Sequence, residues 1–302
     1  MAREPSFSQP SREESSSPSV KKHEETHNER IAPQGGLLYS LIVKNKRLKA
    51  LAFLREASPE ANFFPVFRVF LRSLRLVWLM PFVVILKRMP FWERFVFSHL
   101  NNWGKAVLKI SNVRLRIINS ENVSKGKTYL FASNHLSLLD IPVLCAAIPV
   151  RNRYIANKEL ASFFITKFLI KLDESILVDK TGIKAQAKAL REIQQALLRG
   201  NNLTIFPEST MSSDGKIQRF KRGGLAAAAM ANVYIMPIGI KGTREACPPG
   251  AFFAKAGQEV QVIFGAEIDC KALSSGDKKN INQIVYDELK KLTESAESFT
   301  EN

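Results

Sequence analysis

The chain has 302 residues, of which 45% are hydrophobic and 24% are charged, so it can bury one sizeable core and is not disordered throughout. Its 44 lysines and arginines outnumber its 28 acidic residues, and no nucleic-acid-binding module is recognisable, so the net charge of +16 points to an anionic membrane surface and not to nucleic acid. Three widely spaced cysteines do not form metal-ligand pairs and the chain has four histidines, so neither a disulfide framework nor a zinc site is expected.

The first 36 residues differ from the rest of the chain in composition. They are rich in Ser, Glu, Lys and Pro and have almost no apolar side chains, which predicts a disordered tail over residues 1–36. No apolar stretch follows Lys21 and Lys22, so this segment does not have the pattern of a secretory signal peptide.

Residues 37–110 combine the most apolar part of the sequence with 13 lysines and arginines against three glutamates. Arg68, Arg72 and Arg75 share one helical face. The apolar run at 76–86 has 11 residues, which as a helix reach roughly 17 Å against about 30 Å of hydrocarbon. We therefore predict a basic, amphipathic helical anchor on the cytoplasmic face of a membrane. A tilted span and a buried helix of a soluble domain are the alternatives.

From residue 91 onward, helix-like and strand-like segments alternate. Helices are predicted at 91–110, 138–149, 158–170, 183–198, 223–231 and 280–295. Strands are predicted at 113–118, 128–131, 153–156, 175–178, 203–206, 234–240 and 260–264. This alternation predicts an α/β domain over residues 111–302, in which helices cover a central sheet.

His135 and Asp140 form the first candidate site. They follow the strand at 128–131, and His135 is expected in the loop before the helix that begins near Leu138. In that geometry Asp140, in the first helical turn, can accept the proton of one imidazole nitrogen and leave the other nitrogen as a base for a substrate hydroxyl. The alternative is structural, because Ser137 and Asp140 also have the spacing of a capping box at a helix start.

Glu208 lies in the loop after the strand predicted at 203–206 and is the second candidate. Ligand sites of open α/β sheets lie beyond the carboxyl ends of the strands, so His135, Asp140 and Glu208 are expected to converge. The alternative for Glu208 is a surface carboxylate without a role.

Two motifs in a fixed order carry a resemblance to a known family. They are Asn134-His135-x-x-x-x-Asp140 and, some seventy residues later, Phe206-Pro207-Glu208-Ser209-Thr210, with weaker blocks at 175–180 and 235–240. With them the chain resembles the glycerolphosphate acyltransferase superfamily, and most closely its 1-acyl-sn-glycerol-3-phosphate acyltransferase family, over roughly residues 75–265. The resemblance implies an α/β fold with a central mixed sheet flanked by helices, preceded by an N-terminal amphipathic helical membrane anchor.

The resemblance also implies an activity. It is the transfer of a fatty acyl chain from acyl carrier protein or coenzyme A to the hydroxyl of a lysolipid, with His135 as the base and Asp140 as its partner. Neither a metal nor a bound cofactor is implied, because the acyl thioester is a substrate. The implied partners are the lysolipid, the acyl donor and an anionic membrane surface. The further substrate-binding candidates are Glu208, Ser209, Thr210, Lys180, Lys216 and Lys221.

The chain departs from the family's pattern at three positions. Ser209 stands where the family has glycine, Met211 where it has the arginine assigned to the acceptor phosphate, and Lys180 where the middle block has arginine. Lys216, Arg219, Lys221 and Arg222 are nearby cations that can substitute, unless they belong to an ordinary solvated basic loop. The acceptor is therefore open between 1-acyl-sn-glycerol-3-phosphate and another lysolipid, such as a lyso-ornithine lipid. A non-catalytic lipid-binding scaffold is the alternative of a different class.

Overall fold

The computed structural model describes residues 89, 91–158, 170–171, 173–179, 182–212, 214–221, 223–249, 251 and 254–295. The predicted tail 1–36, the predicted anchor up to residue 88, most of the predicted helix 158–170 and Lys180 lie outside the described residues. Within the described ranges no helix combines the length and apolar character that a membrane crossing requires.

The observed elements follow the predicted order closely. The helices are α1 (Trp92–Ile110), α2 (Asp140–Ala147), α3 (Ile183–Leu198), α4 (Gly224–Ala231), α5 (Thr243–Ala246), α6 (Ser275–Lys279) and α7 (Ile281–Ser295). The strands are β1 (Arg114–Ile118), β2 (Tyr129–Ser133), β3 (Arg153–Asn157), β4 (Ile176–Val178), β5 (Leu203–Ile205), β6 (Tyr234–Lys241), β7 (Glu259–Phe264) and β8 (Ile268–Asp269). The sequence did not predict α5, α6 or β8, because four, five and two residues are too few to produce a periodic pattern.

The strands of the described part of the chain form one mixed sheet, as the resemblance implied. Its order is β1-β7-β6-β2-β5-β3-β4, and β8 pairs with β6. β2 is parallel to both of its neighbours, β5 and β6, whereas β7 runs antiparallel to β6. The carboxyl ends of β2 and β5 therefore lie side by side, which is where a ligand site is expected.

The two faces of β2 belong to two clusters of buried side chains. Tyr129 and Phe131 pack with α2 and with apolar residues of β6 and β7. Leu130 and Ala132 point the other way and pack with α3, α4 and α7. Every residue of β2 is buried, which is typical of a parallel strand covered by helices on both sides.

Helix α1 packs directly against α2. Gly104 makes this approach possible, since a Cβ atom added there would lie 2.4 Å from the carbonyl oxygen of Pro142. Leu108 of α1 is 3% exposed and belongs to the same buried cluster as Tyr129 and Phe131. The last helix of the region predicted to associate with membrane thus also packs against the α/β domain.

Candidate active site

The loop that carries His135 is held to the sheet by its neighbour, Asn134. The side-chain amide of Asn134 donates to the carbonyl oxygen of Ile240 (2.9 Å), and its oxygen accepts from the Ile240 N–H (2.8 Å). These bonds join the start of the loop to β6 just beyond the last β2–β6 pair, Ser133 with Ile238. No separate role for Asn134 was predicted from the sequence. Its place beside His135 was the only signal.

His135 and Asp140 form a hydrogen-bonded pair. His135 lies in the loop before α2 and Asp140 in its first turn, and Nδ1 is 2.8 Å from Asp140 Oδ2. The side chain of Asp140 is fully buried, whereas that of His135 is 16% exposed. With the Nδ1 proton donated to Asp140, Nε2 is the nitrogen left to accept a proton from a substrate.

The structural role of Asp140 is present in the same arrangement. Oδ2 also accepts the backbone N–H groups of Leu136 (2.7 Å) and Ser137 (2.9 Å), the second of these as in a capping box. Ser137 is buried, and its hydroxyl donates to the carbonyl oxygen of Cys247 (2.6 Å). The two alternatives for Asp140 are therefore combined, since one carboxylate oxygen both starts the helix and holds the imidazole.

Phe206 fixes the plane of the imidazole. Its ring stacks on that of His135, with centroids 4.0 Å apart and planes inclined by 16°. Because Phe206 directly follows β5, the neighbour of β2, the topology brings it to the same edge of the sheet. Phe206 belongs to the second motif, but its contact with His135 was not predicted from the sequence.

Glu208 joins the loop after β5 to the loop that carries His135. It is 2% exposed, with Oε1 accepting the backbone N–H of His135 (2.9 Å) and Oε2 that of Gln218 (2.6 Å). Burial raises the pKa of Glu208, and these two hydrogen bonds oppose the rise. The alternative of a surface carboxylate without a role is wrong, because Glu208 is buried and its two hydrogen bonds hold the loop, while its substrate contact stays a prediction.

We expect the free energy of unfolding to lose a contribution from Glu208 as pH rises. Because the pKa of this carboxyl is higher in the folded protein than in the unfolded chain, the folded state keeps its proton to higher pH. The stabilising contribution of the Glu208 carboxyl is complete below its pKa in the unfolded chain. It is lost as pH rises through its pKa in the folded protein. Thermal unfolding of the wild type and Glu208→Gln should therefore diverge, the wild type losing stability relative to the variant as pH rises. Parallel curves would contradict the shift.

A cavity of about 560 Å³ opens beside His135. This volume lies within the range of about 300–1,000 Å³ that small-molecule sites usually have. Phe206 and Pro207 line it next to His135. Most of the remaining wall is apolar and includes Leu100, Trp103, Ile141, Ile155, Leu190 and Ile193. A long apolar group can therefore be held with one end at the imidazole.

One part of the cavity wall is polar, and its side chains form hydrogen bonds within the protein. Buried Asp173 pairs with Arg151 (2.6 Å) and accepts from the Ser175 hydroxyl (2.7 Å) and the Tyr154 N–H (3.0 Å). The Tyr154 hydroxyl lies 3.3 Å from Cys145 Sγ. Burial raises the pKa of Cys145 to about 12, so this thiol stays protonated near neutral pH and is not a thiolate nucleophile.

The remaining substrate-binding candidates are placed differently. Ser209 and Lys221 line the cavity, whereas Thr210 and Lys216 are exposed and do not. Ser209 has φ +63°, in the left-handed region that favours glycine, which accounts for the glycine of the family's pattern. The predicted substrate contact of Lys216 thus has no support from its position, and that of Lys180 lies outside the described residues.

Arg244 lies on α5, just after β6, and contacts the loop that carries Glu208. Its Nη1 lies 3.4 Å from the carbonyl oxygen of Ser212. The N–H of Ser212 in turn donates to the carbonyl oxygen of His135 (2.8 Å). Arg244 was not predicted from the sequence, although the parallel pairing of β6 with β2 brings it to this edge of the sheet.

Comparison with known proteins shows what the chain is similar to. The family model described as Acyltransferase matches residues 114–241. A Mycoplasma pneumoniae protein named "Probable 1-acyl-sn-glycerol-3-phosphate acyltransferase" is 31% identical over 193 residues, which are 60% of this chain and 72% of that protein. The 1-acyl-sn-glycerol-3-phosphate acyltransferase of Borreliella burgdorferi is 23% identical over 202 residues, 67% of this chain and 80% of that protein.

A solved structure supports the same assignment. The crystal structure of the 1-acyl-sn-glycerophosphate acyltransferase PlsC from Thermotoga maritima matches with a TM-score of 0.59 and 25% identity, covering 76% of this chain and 97% of that chain. The residues matched by the family model include both motifs, with His135 and Glu208. The resemblance seen in the sequence is confirmed, and the chain is an acyltransferase that belongs to the 1-acyl-sn-glycerol-3-phosphate acyltransferase family.

Proposed function

We propose that this acyltransferase moves a fatty acyl chain from an acyl thioester to the free hydroxyl of 1-acyl-sn-glycerol-3-phosphate, giving phosphatidic acid. The observation that carries the proposal is the His135–Asp140 pair at an apolar cavity of about 560 Å³. The names of the relatives support the acceptor, and the apolar wall suits the acyl chain.

In the proposed reaction His135 Nε2 takes the proton of the acceptor hydroxyl as its oxygen attacks the thioester carbonyl. The new C–O bond forms, the C–S bond breaks, and the sulfur leaves with the proton returned by His135. Asp140 holds the imidazole through Nδ1 and stabilises the positive charge that it acquires. Direct attack needs no covalent acyl-enzyme, which agrees with the protonated state of Cys145, the cysteine found in the cavity wall among the described residues.

Negative charge that develops on the thioester oxygen needs donors close to His135. The backbone N–H groups of residues 208–210, in the loop after β5, are candidates. The N–H of Ser209 already donates to the carbonyl oxygen of Phe206 (3.0 Å), which removes it from this set. Glu208 and Thr210 do not line the cavity, so none of these N–H groups is supported as the oxyanion donor.

Lys221 is the cation that we assign to the acceptor phosphate. It lines the cavity together with Gly223 and Gly224, which precede and begin α4. A lysine charge and the positive end of a helix dipole both favour a phosphate group. Lys221 thereby substitutes for the arginine that Met211 replaces. We place the reaction at the cytoplasmic face of a membrane, where both the lysolipid and its product reside.

The test is acyl transfer by purified full-length protein, with 1-acyl-sn-glycerol-3-phosphate and a lyso-ornithine lipid offered in parallel. We expect transfer to the phosphate acceptor, and we expect Lys221→Ala to raise its KM about tenfold, the equivalent of about 1.4 kcal/mol of binding. Lys216→Ala, on the same loop but outside the cavity, should have the smaller effect. Transfer to the lyso-ornithine lipid alone would mean that Met211 marks a changed acceptor. Equal effects of the two substitutions would mean that the acceptor phosphate does not bind at Lys221 in the cavity.

A further inference from the structure

A second cavity of about 1250 Å³ opens beside the catalytic one, and we call it the basic groove. It lies between the loop at 219–221, α4 and the start of α7. Its cations are Arg219, Lys221, Lys278 and Lys279, and no aspartate or glutamate is among the described residues that line it.

No ion pair joins these four cations to a carboxylate within the described ranges. Asp214, Asp277 and Asp287 lie on neighbouring elements and accept from Ser212, Ser274 and Gln283 instead. The Lys278 ammonium donates to the neutral Asn232 amide (2.6 Å) and so keeps its charge. The groove therefore presents a positive potential to solvent.

The floor of the basic groove includes an exposed methionine and two aromatic residues. Met230 is 59% exposed within it, and Tyr286 meets the buried Phe220 edge-on with centroids 5.4 Å apart. Methionine, aromatic residues and arginine are the residue types enriched where proteins bind one another. The groove is also larger than the range of about 300–1,000 Å³ usual for a small-molecule site. These features favour a macromolecule over a nucleotide.

The basic groove and the catalytic cavity share Lys221 and Gly223 in their walls. A partner bound in the groove is therefore placed next to the catalytic cavity. We propose that the groove docks an acidic acyl carrier protein, which presents its thioester arm to the catalytic cavity. This inference rests on the proposed function and identifies acyl carrier protein as the acyl donor. The thiol released when the C–S bond breaks stays on the carrier arm, which takes up the proton from His135.

The experiment compares donors on the full-length protein. Transfer to the same acceptor is measured with one acyl chain carried by acyl carrier protein or by coenzyme A, for the wild type and for Lys278→Glu/Lys279→Glu. The matched control is Lys125→Glu/Lys255→Glu, two exposed loop lysines that line neither cavity. We expect the groove variant to lower kcat/KM for the carrier-protein donor at least about tenfold and for the coenzyme A donor less than about threefold. The control variant should change neither value by more than about twofold.

Other results would overturn the docking site in distinguishable ways. Equal losses with both donors would mean that the groove acts in acceptor binding or folding, and a loss with coenzyme A alone would assign it to a nucleotide. Unchanged kinetics together with lost binding to anionic phospholipid vesicles would make it a membrane contact. If the wild type transfers from neither donor, the proposed function itself is wrong. This outcome is distinct from those above, because each of them requires an active wild type. Binding of the unacylated carrier to the His135→Ala protein, measured by calorimetry, tests the groove without activity.

Discussion

Replacing His135 with alanine is expected to lower acyl transfer by a factor of about 10²–10⁴, the usual contribution of a general base. The imidazole touches Asp140 through Nδ1 and Phe206 through its face, so the substitution removes the base while the bonds of Asp140 to Leu136 and Ser137 remain. The measurement is kcat/KM with a saturating thioester donor. Thermal unfolding of the variant should stay close to that of the wild type.

His99→Ala is the matched control. His99 lies on α1 and stacks on Phe95, and it does not line the catalytic cavity. Its substitution should change kcat/KM by less than about threefold, because it contacts neither the reacting groups nor the donor site. Transfer retained in the His135 variant would mean that a group other than this imidazole acts as the base.

The sequence predicted most of this fold because the α/β domain repeats one physical pattern. β2 was recognisable from its run of aromatic and aliphatic residues, and its place in the middle of the sheet explains why every residue in it is buried. Helix α3 was recognisable from its apolar face and from Gly200, whose φ of +83° closes the helix. Short elements such as α5 carry no such repeat and were not predicted.

The site was predictable where the chemistry is local and unpredictable where it depends on neighbouring strands. His135 and Asp140 are five residues apart, so their pairing followed from the start of a helix between them. The stacking of Phe206 on His135 depends instead on β5 lying beside β2. For the same reason the sequence did not separate Lys221, which lines the cavity, from Lys216, which does not.

Two substitutions at Asp140 separate the roles that one carboxylate combines. In Asp140→Asn the amide oxygen can take the place of Oδ2 and accept from the Leu136 and Ser137 N–H groups. Its NH₂ group then occupies the Oδ1 position, which is buried and has no hydrogen-bond partner within the described ranges. We expect this variant to lose only roughly 1 kcal/mol of unfolding free energy, while transfer falls about 10²-fold or more because the imidazolium loses its counter-charge.

In Asp140→Ala the backbone donors lose their acceptor as well. Two buried N–H groups are then unsatisfied at the start of α2, so we expect a loss of about 2–4 kcal/mol in addition to the loss of transfer. The measurements are the free energy of unfolding, from denaturant titration, and kcat/KM, each for both variants. If Asp140→Asn keeps transfer within about threefold of the wild type, the charge of Asp140 is not used in catalysis. Asp140 would then act only by starting the helix and orienting His135.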